Sequence, residues 1–257
     1  MFDPNFLHTG RRLTMTRILL NEGRPMSSPA AAIAEKAYVQ PVGPGRWSDD
    51  IEHPRPVDMV KSLGVVASYD RNSEIFGEDA APEHLYVVLS GAVRICKLLG
   101  DGRRQIETFC MAGDVFGWEM GPRHRFSAEA VNDCKVARIK RTMLFARAAD
   151  DADLGHALWA LTAAELGRAQ DHLLVLGRKT AQERVATFLL DMAGRNGTTA
   201  SEVTLPMSRQ DIADYLGLTI ETVSRTLTHL EEVAAIALPS SRRVVLRDVA
   251  ALKRLNA

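Results

Sequence analysis

From residue 58 to about residue 140 the apolar positions come in short runs: Leu63–Ala67, Leu85–Leu89, Val93–Leu99, Ile106–Cys110 and Val136–Ile139. Turn-forming residues separate them: Asp70-Arg71-Asn72, Ser90-Gly91, Gly100-Asp101-Gly102 and Ala112-Gly113-Asp114. Short runs at this spacing predict an antiparallel sandwich or barrel. Asp101-Gly102 between two such runs predicts a hairpin, because glycine reaches positive φ without steric cost. From Arg141 the apolar period lengthens to that of a helix. Residues 152–176 contain no proline, and Gly177 is expected to end that helix. A second helix is predicted over Ala181–Ala193, closed by Gly194 and Asn196-Gly197, followed by a short strand at Val203-Thr204-Leu205.

The long helix has no single heptad seam, because Glu165, Arg168 and His172 interrupt its leucines. Two partial stripes fit better, one facing the β region and one facing a twin helix. The residues expected at the twin-helix contact are Leu154, Leu158, Leu161, Glu165, Arg168, His172 and Val175. Residues 1–57 differ from the rest, holding seven of the chain's eleven prolines, and predict a flexible arm with one short helix near Ala30–Ala37. Met26 is an alternative start. The codons of Glu22-Gly23 read GARGGN, like a bacterial ribosome-binding site, which would place residues 1–25 outside the native protein. The expected organisation is an arm (1–57), a β region (58–150), a long helix (151–177) and a C-terminal unit (178–257), an α+β chain overall.

Composition narrows the class. With 46% hydrophobic and 25% charged residues the chain reads as an ordinary globular protein. No apolar run reaches the roughly 18 residues of a membrane span, so no membrane partner is expected. Lys+Arg and Asp+Glu are both 32, so any basic surface is local. Three widely spaced cysteines, Cys96, Cys110 and Cys134, are no disulfide framework, and no CxxC suggests zinc. Without a signal-peptide pattern, the expected compartment is the reducing cytoplasm.

The most informative segment is Ser208 to Leu227, which reads as a helix-turn-helix. Ser208 with Asp211 makes a near capping box. Ile212 and Leu216 share one face, Ala213 allows close approach, and Gly217 permits the tight turn. Thr219 suits the N-cap of the second helix. Val223 and Leu227 point inward, which leaves Glu221, Thr222, Ser224 and Arg225 outward. Arginine can bond bidentately to guanine and glutamate can accept from cytosine, so this face suits the major groove. Ala235–Leu238 and Val244–Leu246, joined by Pro239-Ser240-Ser241-Arg242-Arg243, predict a wing with two arginines toward phosphate. A structural hairpin with a solvated face is the plainer alternative. Residues 201–257 carry seven basic and seven acidic residues, so specific contacts from a dimer must supply much of any affinity.

From about residue 58 to the end the chain resembles the CRP/FNR family of bacterial transcription regulators. The matching residues run from Leu85 to Arg94, then Asp101-Gly102-Arg103, Phe109, Gly113–Gly117, Ser127–Ala130, Arg138-Ile139 and the helix-turn-helix. The resemblance implies a β-roll like a cyclic-nucleotide-binding domain, a dimerisation helix and a winged helix-turn-helix. Glu221-Thr222-Val223-Ser224-Arg225 is similar to the E-x-x-S-R signature of the FNR branch. By resemblance, Glu221, Ser224 and Arg225 read an inverted repeat close to TTGAT-N4-ATCAA. Ser208, Arg209, Thr219, Thr222, Thr226, Arg242 and Arg243 are expected on the DNA backbone. Residues 1–95 hold no cysteine, which removes an FNR-like iron–sulfur cluster. Where cyclic-nucleotide binders place an arginine before Ser-Ala, this chain has Phe126. Glu119 matches the ribose-binding acid, although the loop around Gly121-Pro122 is altered and Arg123 or Arg125 could compensate.

What remains resembles the FixK-type branch. That implies a homodimeric activator contacting double-stranded DNA and RNA polymerase, with no cofactor, serving microoxic respiration, nitrogen fixation or denitrification. A ligand-gated sensor of the same fold, taking haem, NO or a nucleotide, is the alternative. His84, His124, His156 and His172 lack ligand spacing, and Met111 and Met120 suit packing. No hydrolase or transferase motif occurs, so no enzyme activity is expected.

Overall fold

The computed structural model describes residues 56–195 and 202–255. The expected arm up to residue 55, its short helix, the alternative start at Met26 and the Asn196-Gly197 turn lie outside the described residues. A short helix, α1 (Pro56–Lys61), precedes eight strands: β1 (Val65–Tyr69), β2 (Glu74–Phe76), β3 (His84–Ser90), β4 (Ala92–Leu98), β5 (Arg104–Met111), β6 (Val115–Phe116), β7 (Ser127–Ala130) and β8 (Cys134–Lys140). They form two four-stranded antiparallel sheets, ordered β1-β8-β3-β6 and β2-β7-β4-β5. Helices α2 (Arg141–Asp150), α3 (Ala152–Arg178) and α4 (Ala181–Arg195) follow. The C-terminal part adds β9 (Glu202–Thr204), α5 (Arg209–Leu216), α6 (Ile220–Glu232), β10 (Ile236–Ser240), β11 (Arg243–Leu246) and α7 (Val249–Leu255), with a small sheet ordered β10-β11-β9.

Strand alternation sorts the apolar residues into layers. Tyr86, Val88, Val93, Ile95, Cys110 and Phe116 point between the two sheets. Leu85, Val87, Ala137 and Ile139 point the other way, onto Val60 of α1, Leu144 of α2 and Leu154 of α3. The second sheet also has two buried faces. Ala92, Cys96, Ile106 and Phe109 point away from the sandwich and join one apolar cluster with Phe188, Ile212, Leu216, Val223 and Leu227. This explains why β3 and β4 read as near-continuous apolar runs. A strand covered on both faces loses the alternation that marks a solvated sheet. Phe109 and Tyr215 rings lie 5.3 Å apart across that junction.

The turn between β3 and β4 depends on Gly91 at φ +82°, where a Cβ would lie 2.6 Å from the Asp133 carbonyl oxygen. The long helix departs from expectation at its end. It runs through Gly177 to Arg178, and Lys179 caps it in an extended conformation. No left-handed glycine is needed, because Arg184 takes over the loose carbonyls. Its Nη2 donates to Leu176 O at 2.9 Å and its Nε to Lys179 O at 2.9 Å. Its Nη1 reaches Leu216 O at 2.8 Å, tying the end of α3 to the end of α5.

Candidate nucleic-acid interface

Ser208 is the N-cap of α5, and Asp211 completes the box in both directions. The Ser208 Oγ accepts from the Asp211 N–H, and an Asp211 oxygen accepts from the Ser208 N–H at 2.9 Å. Gly217 closes α5 in the left-handed region at φ +62°, and Thr219 restarts the chain as the N-cap of α6 by accepting from the Thr222 N–H at 3.2 Å. Val223, Leu227 and Leu230 are buried. Glu221, Ser224 and Arg225 are exposed, side by side on the outer face of α6. The Glu221 carboxyl is held below its usual range by backbone and Thr219 hydrogen bonds at the helix start, with further help from Arg225. It is therefore ionised at neutral pH and ready to accept a base amino group.

The residues expected on the DNA backbone are placed unequally. The Ser208 hydroxyl is engaged, donating to Asp211 Oδ2 at 2.7 Å. Thr219 and Thr222 hydroxyls pair at 3.1 Å, and Thr222 and Thr226 are half-buried. The guanidinium of Arg209 is half-buried with a buried Nη1 that has no partner among the described residues. Burial alone lowers its pKa, so an anion close by would relieve it. Arg242 sits in the wing's turn, between the paired Ser240 of β10 and Arg243 of β11. Arg243 is already paired with Glu202 on β9.

That pairing sets an expectation. Arg243→Ala should weaken operator and scrambled duplex evenly and reduce the salt slope by less than the roughly one unit of an unpaired phosphate contact, read by titrations across a salt series.

The seven positions expected at a twin-helix contact have the following neighbours within their own chain. Leu154 is only 2% exposed and packs with Val60 and Leu85, and Leu158 and Leu161 lean on the same cluster. Glu165 and Arg168 pair with each other. His172 stacks on Tyr215 with ring centroids 4.1 Å apart, and Val175 belongs to the C-terminal core. Leu154, Leu158, Leu161, His172 and Val175 thus meet other elements of their own chain, while Glu165 and Arg168 pair within the helix. The outward stripe is Trp159, Leu166 and Leu173, which are 76%, 60% and 68% exposed at seven-residue intervals, with Leu174 beside them. Sequence spacing held that signal, but the alanines between those residues hid it.

In the β region a cavity of about 490 Å³ is lined by Phe76, Ile95, Phe116, Trp118, Glu119 and Arg123, among others. Glu119 is not idle: its Oε2 lies 3.0 Å from Nδ1 of His124, which stacks on Phe76. Arg123 and Arg125 are exposed, Arg125 over the ring of Phe126. His84 is half-buried and His156 exposed, and no group of three metal-ligating side chains occurs among the described residues. All three cysteines are buried. Burial, with Glu129 close by, pushes the Cys96 thiol up to about 11, and burial raises Cys110 and Cys134 as well, which keeps them protonated and unreactive.

Comparison with known proteins agrees with this architecture. Residues 183–255 match the Crp-like helix-turn-helix domain and residues 66–151 the cyclic nucleotide-binding domain. The chain is 62% identical over 236 residues to the nitrogen fixation regulation protein FixK of Azorhizobium caulinodans, covering 88% of this chain and 95% of that protein. To the FixK of Rhizobium meliloti it is 43% identical, covering 81% and 94%. The solved structure of FixK2 from Bradyrhizobium japonicum superposes with a TM-score of 0.72 at 51% identity, covering 76% of this chain and 98% of that one. The fold and its exposed reading helix thus define a DNA-binding transcription regulator rather than an enzyme. The chain belongs to the CRP/FNR family and, within it, to the FixK type. No helix among the described residues is long and apolar enough to cross a membrane.

Proposed function

We propose that the protein is a cytoplasmic homodimer that activates transcription by binding an inverted repeat close to TTGAT-N4-ATCAA and contacting RNA polymerase. The observation that carries this reading is the outer face of α6, where Glu221, Ser224 and Arg225 are exposed together and the capped start of the helix leads. Two such helices related by a two-fold axis match two half-sites about one helical turn apart. The outward stripe of Trp159, Leu166 and Leu173 supplies the two-fold contact in this reading. Arg209 and Arg242 lie against phosphates. The names of its FixK relatives favour genes of nitrogen fixation, with microoxic respiration and denitrification as neighbouring roles. The engaged Glu119 and the exposed arginines of the β cavity favour action without a nucleotide effector.

The test is a titration of purified protein, in air and without added ligand, against that duplex and a scrambled one at a stated salt concentration. The expected result is binding to the repeat about a thousandfold or more tighter than to the scrambled duplex. Binding that appears only with an added effector would replace this reading with a ligand-gated one.

A further inference from the structure

The sandwich and the helix-turn-helix are joined by a chain of charges centred on the buried Asp211 and Arg94. Asp211, 5% exposed, divides its carboxylate between two tasks. Oδ2 serves the cap of α5 by accepting from Ser208, as described above. Oδ1 faces the other way and takes two arginines of the second sheet, Arg94 Nη1 of β4 at 3.3 Å and Arg104 Nη2 of β5 at 2.5 Å. Each arginine is anchored further. Arg94 Nε donates to Glu129 Oε2 at 2.8 Å on β7, and Arg104 Nε donates to Asp214 Oδ2 at 2.8 Å on α5. Gln210 holds the other Asp214 oxygen at 2.7 Å. The Asp211 carboxyl lies below its usual range. Burial pushes it up, but the Ser208 hydrogen bonds and the two guanidiniums outweigh that.

The apolar cluster shared by the two parts is non-directional, since burial depends on area and not on angle. The arginine forks are directional. The latch grips α5, and only Gly217, Leu218 and Thr219 separate α5 from α6, so the angle of α5 sets the angle of the reading helix. The latch leaves the outer face of α6 open. We infer that Arg94 and Arg104 are positioning residues for DNA reading: through Asp211 they hold the helix-turn-helix at one angle to the sandwich. This removes the need for an effector to set that angle. The inference rests on the proposed DNA-binding role only for its affinity readout.

The experiment measures the angle directly. Spin labels at Lys135→Cys on β8 and Glu232→Cys at the end of α6 are both exposed, while the native cysteines are buried. Labelled full-length chain is diluted into unlabelled chain, so that distances within one chain dominate the electron–electron dipolar signal. A single narrow distance is expected in the parent. In the Arg94→Gln/Arg104→Gln variant the distribution should broaden, and affinity for the repeat should fall about tenfold or more with scrambled duplex little changed. A narrow distribution with parent affinity in the double variant would overturn the inference. If that variant does not fold, Arg104→Gln alone removes the contacts to both Asp211 and Asp214 and leaves the Ser208–Asp211 cap intact, and an unchanged distance with parent affinity there would overturn it equally. Failure of the unsubstituted protein to select the repeat would count against the proposed function and leave the distance test standing.

Discussion

Leu166→Glu is expected to yield a folded monomer that has lost tight operator binding. Leu166 is 60% exposed in the single chain, so a carboxylate there costs the fold little. In a dimer sealed by the outward stripe the same carboxylate is buried and unpaired, at about 3–5 kcal/mol, and the two-fold axis places two of them in one seam. The dimer dissociation constant should rise about a hundredfold or more. Operator affinity should fall by about 10²–10⁴, because the second half-site no longer gains from the first. Sedimentation equilibrium and an operator titration on the same sample read both effects. Leu154→Glu, by contrast, should unfold the β region, since that side chain is packed against Val60 and Leu85. A Leu166→Glu protein that remains dimeric would remove the outward stripe from the interface.

Arg225→Ala should cost about 1–3 kcal/mol of operator binding at each half-site and erase discrimination at one base pair. Arg225 is exposed on α6 and belongs to none of the apolar clusters, so its truncation leaves the helix in place. Val223, Leu227 and Leu230 continue to hold that helix down. The loss should appear on the repeat and be largely absent on scrambled duplex, because a base contact carries sequence information and a phosphate contact does not. A panel of duplexes with single substitutions identifies the pair it reads. Equal weakening on all sequences would reassign Arg225 to the backbone.

Much of the C-terminal unit was legible because its signals are local. The Ser208–Asp211 box, Gly217 at the turn and Thr219 at the second cap act within four residues of themselves, and the structure forms each of them. Five of the eight strands of the β region were legible from short apolar runs and turn residues, with an offset at the first; β2, β6 and β7, only two to four residues long, were not among those runs. β1 begins at Val65 rather than Leu63, because Leu63 packs beside α1 while Val65 and Val66 are exposed on the edge strand. Arg243 was legible as a wing cation but not as a paired one, since Glu202 lies 41 residues away.

Local signals and the resemblance already held the order of the main elements, the capped helices of the reading motif, the family, and the outward position of Glu221, Ser224 and Arg225, whereas Thr222, expected outward with them, is half-buried. Tertiary structure alone decided which stripe of α3 the chain keeps for itself. Periodicity states which residues share a face, but whether that face is covered depends on what distant segments bring to it. Leu154 meets Val60 and Leu85. Trp159, five residues later on the same helix, is left exposed. The second task of Asp211 was equally invisible: its cap partner is three residues away, and its arginine partners are 107 and 117 residues away.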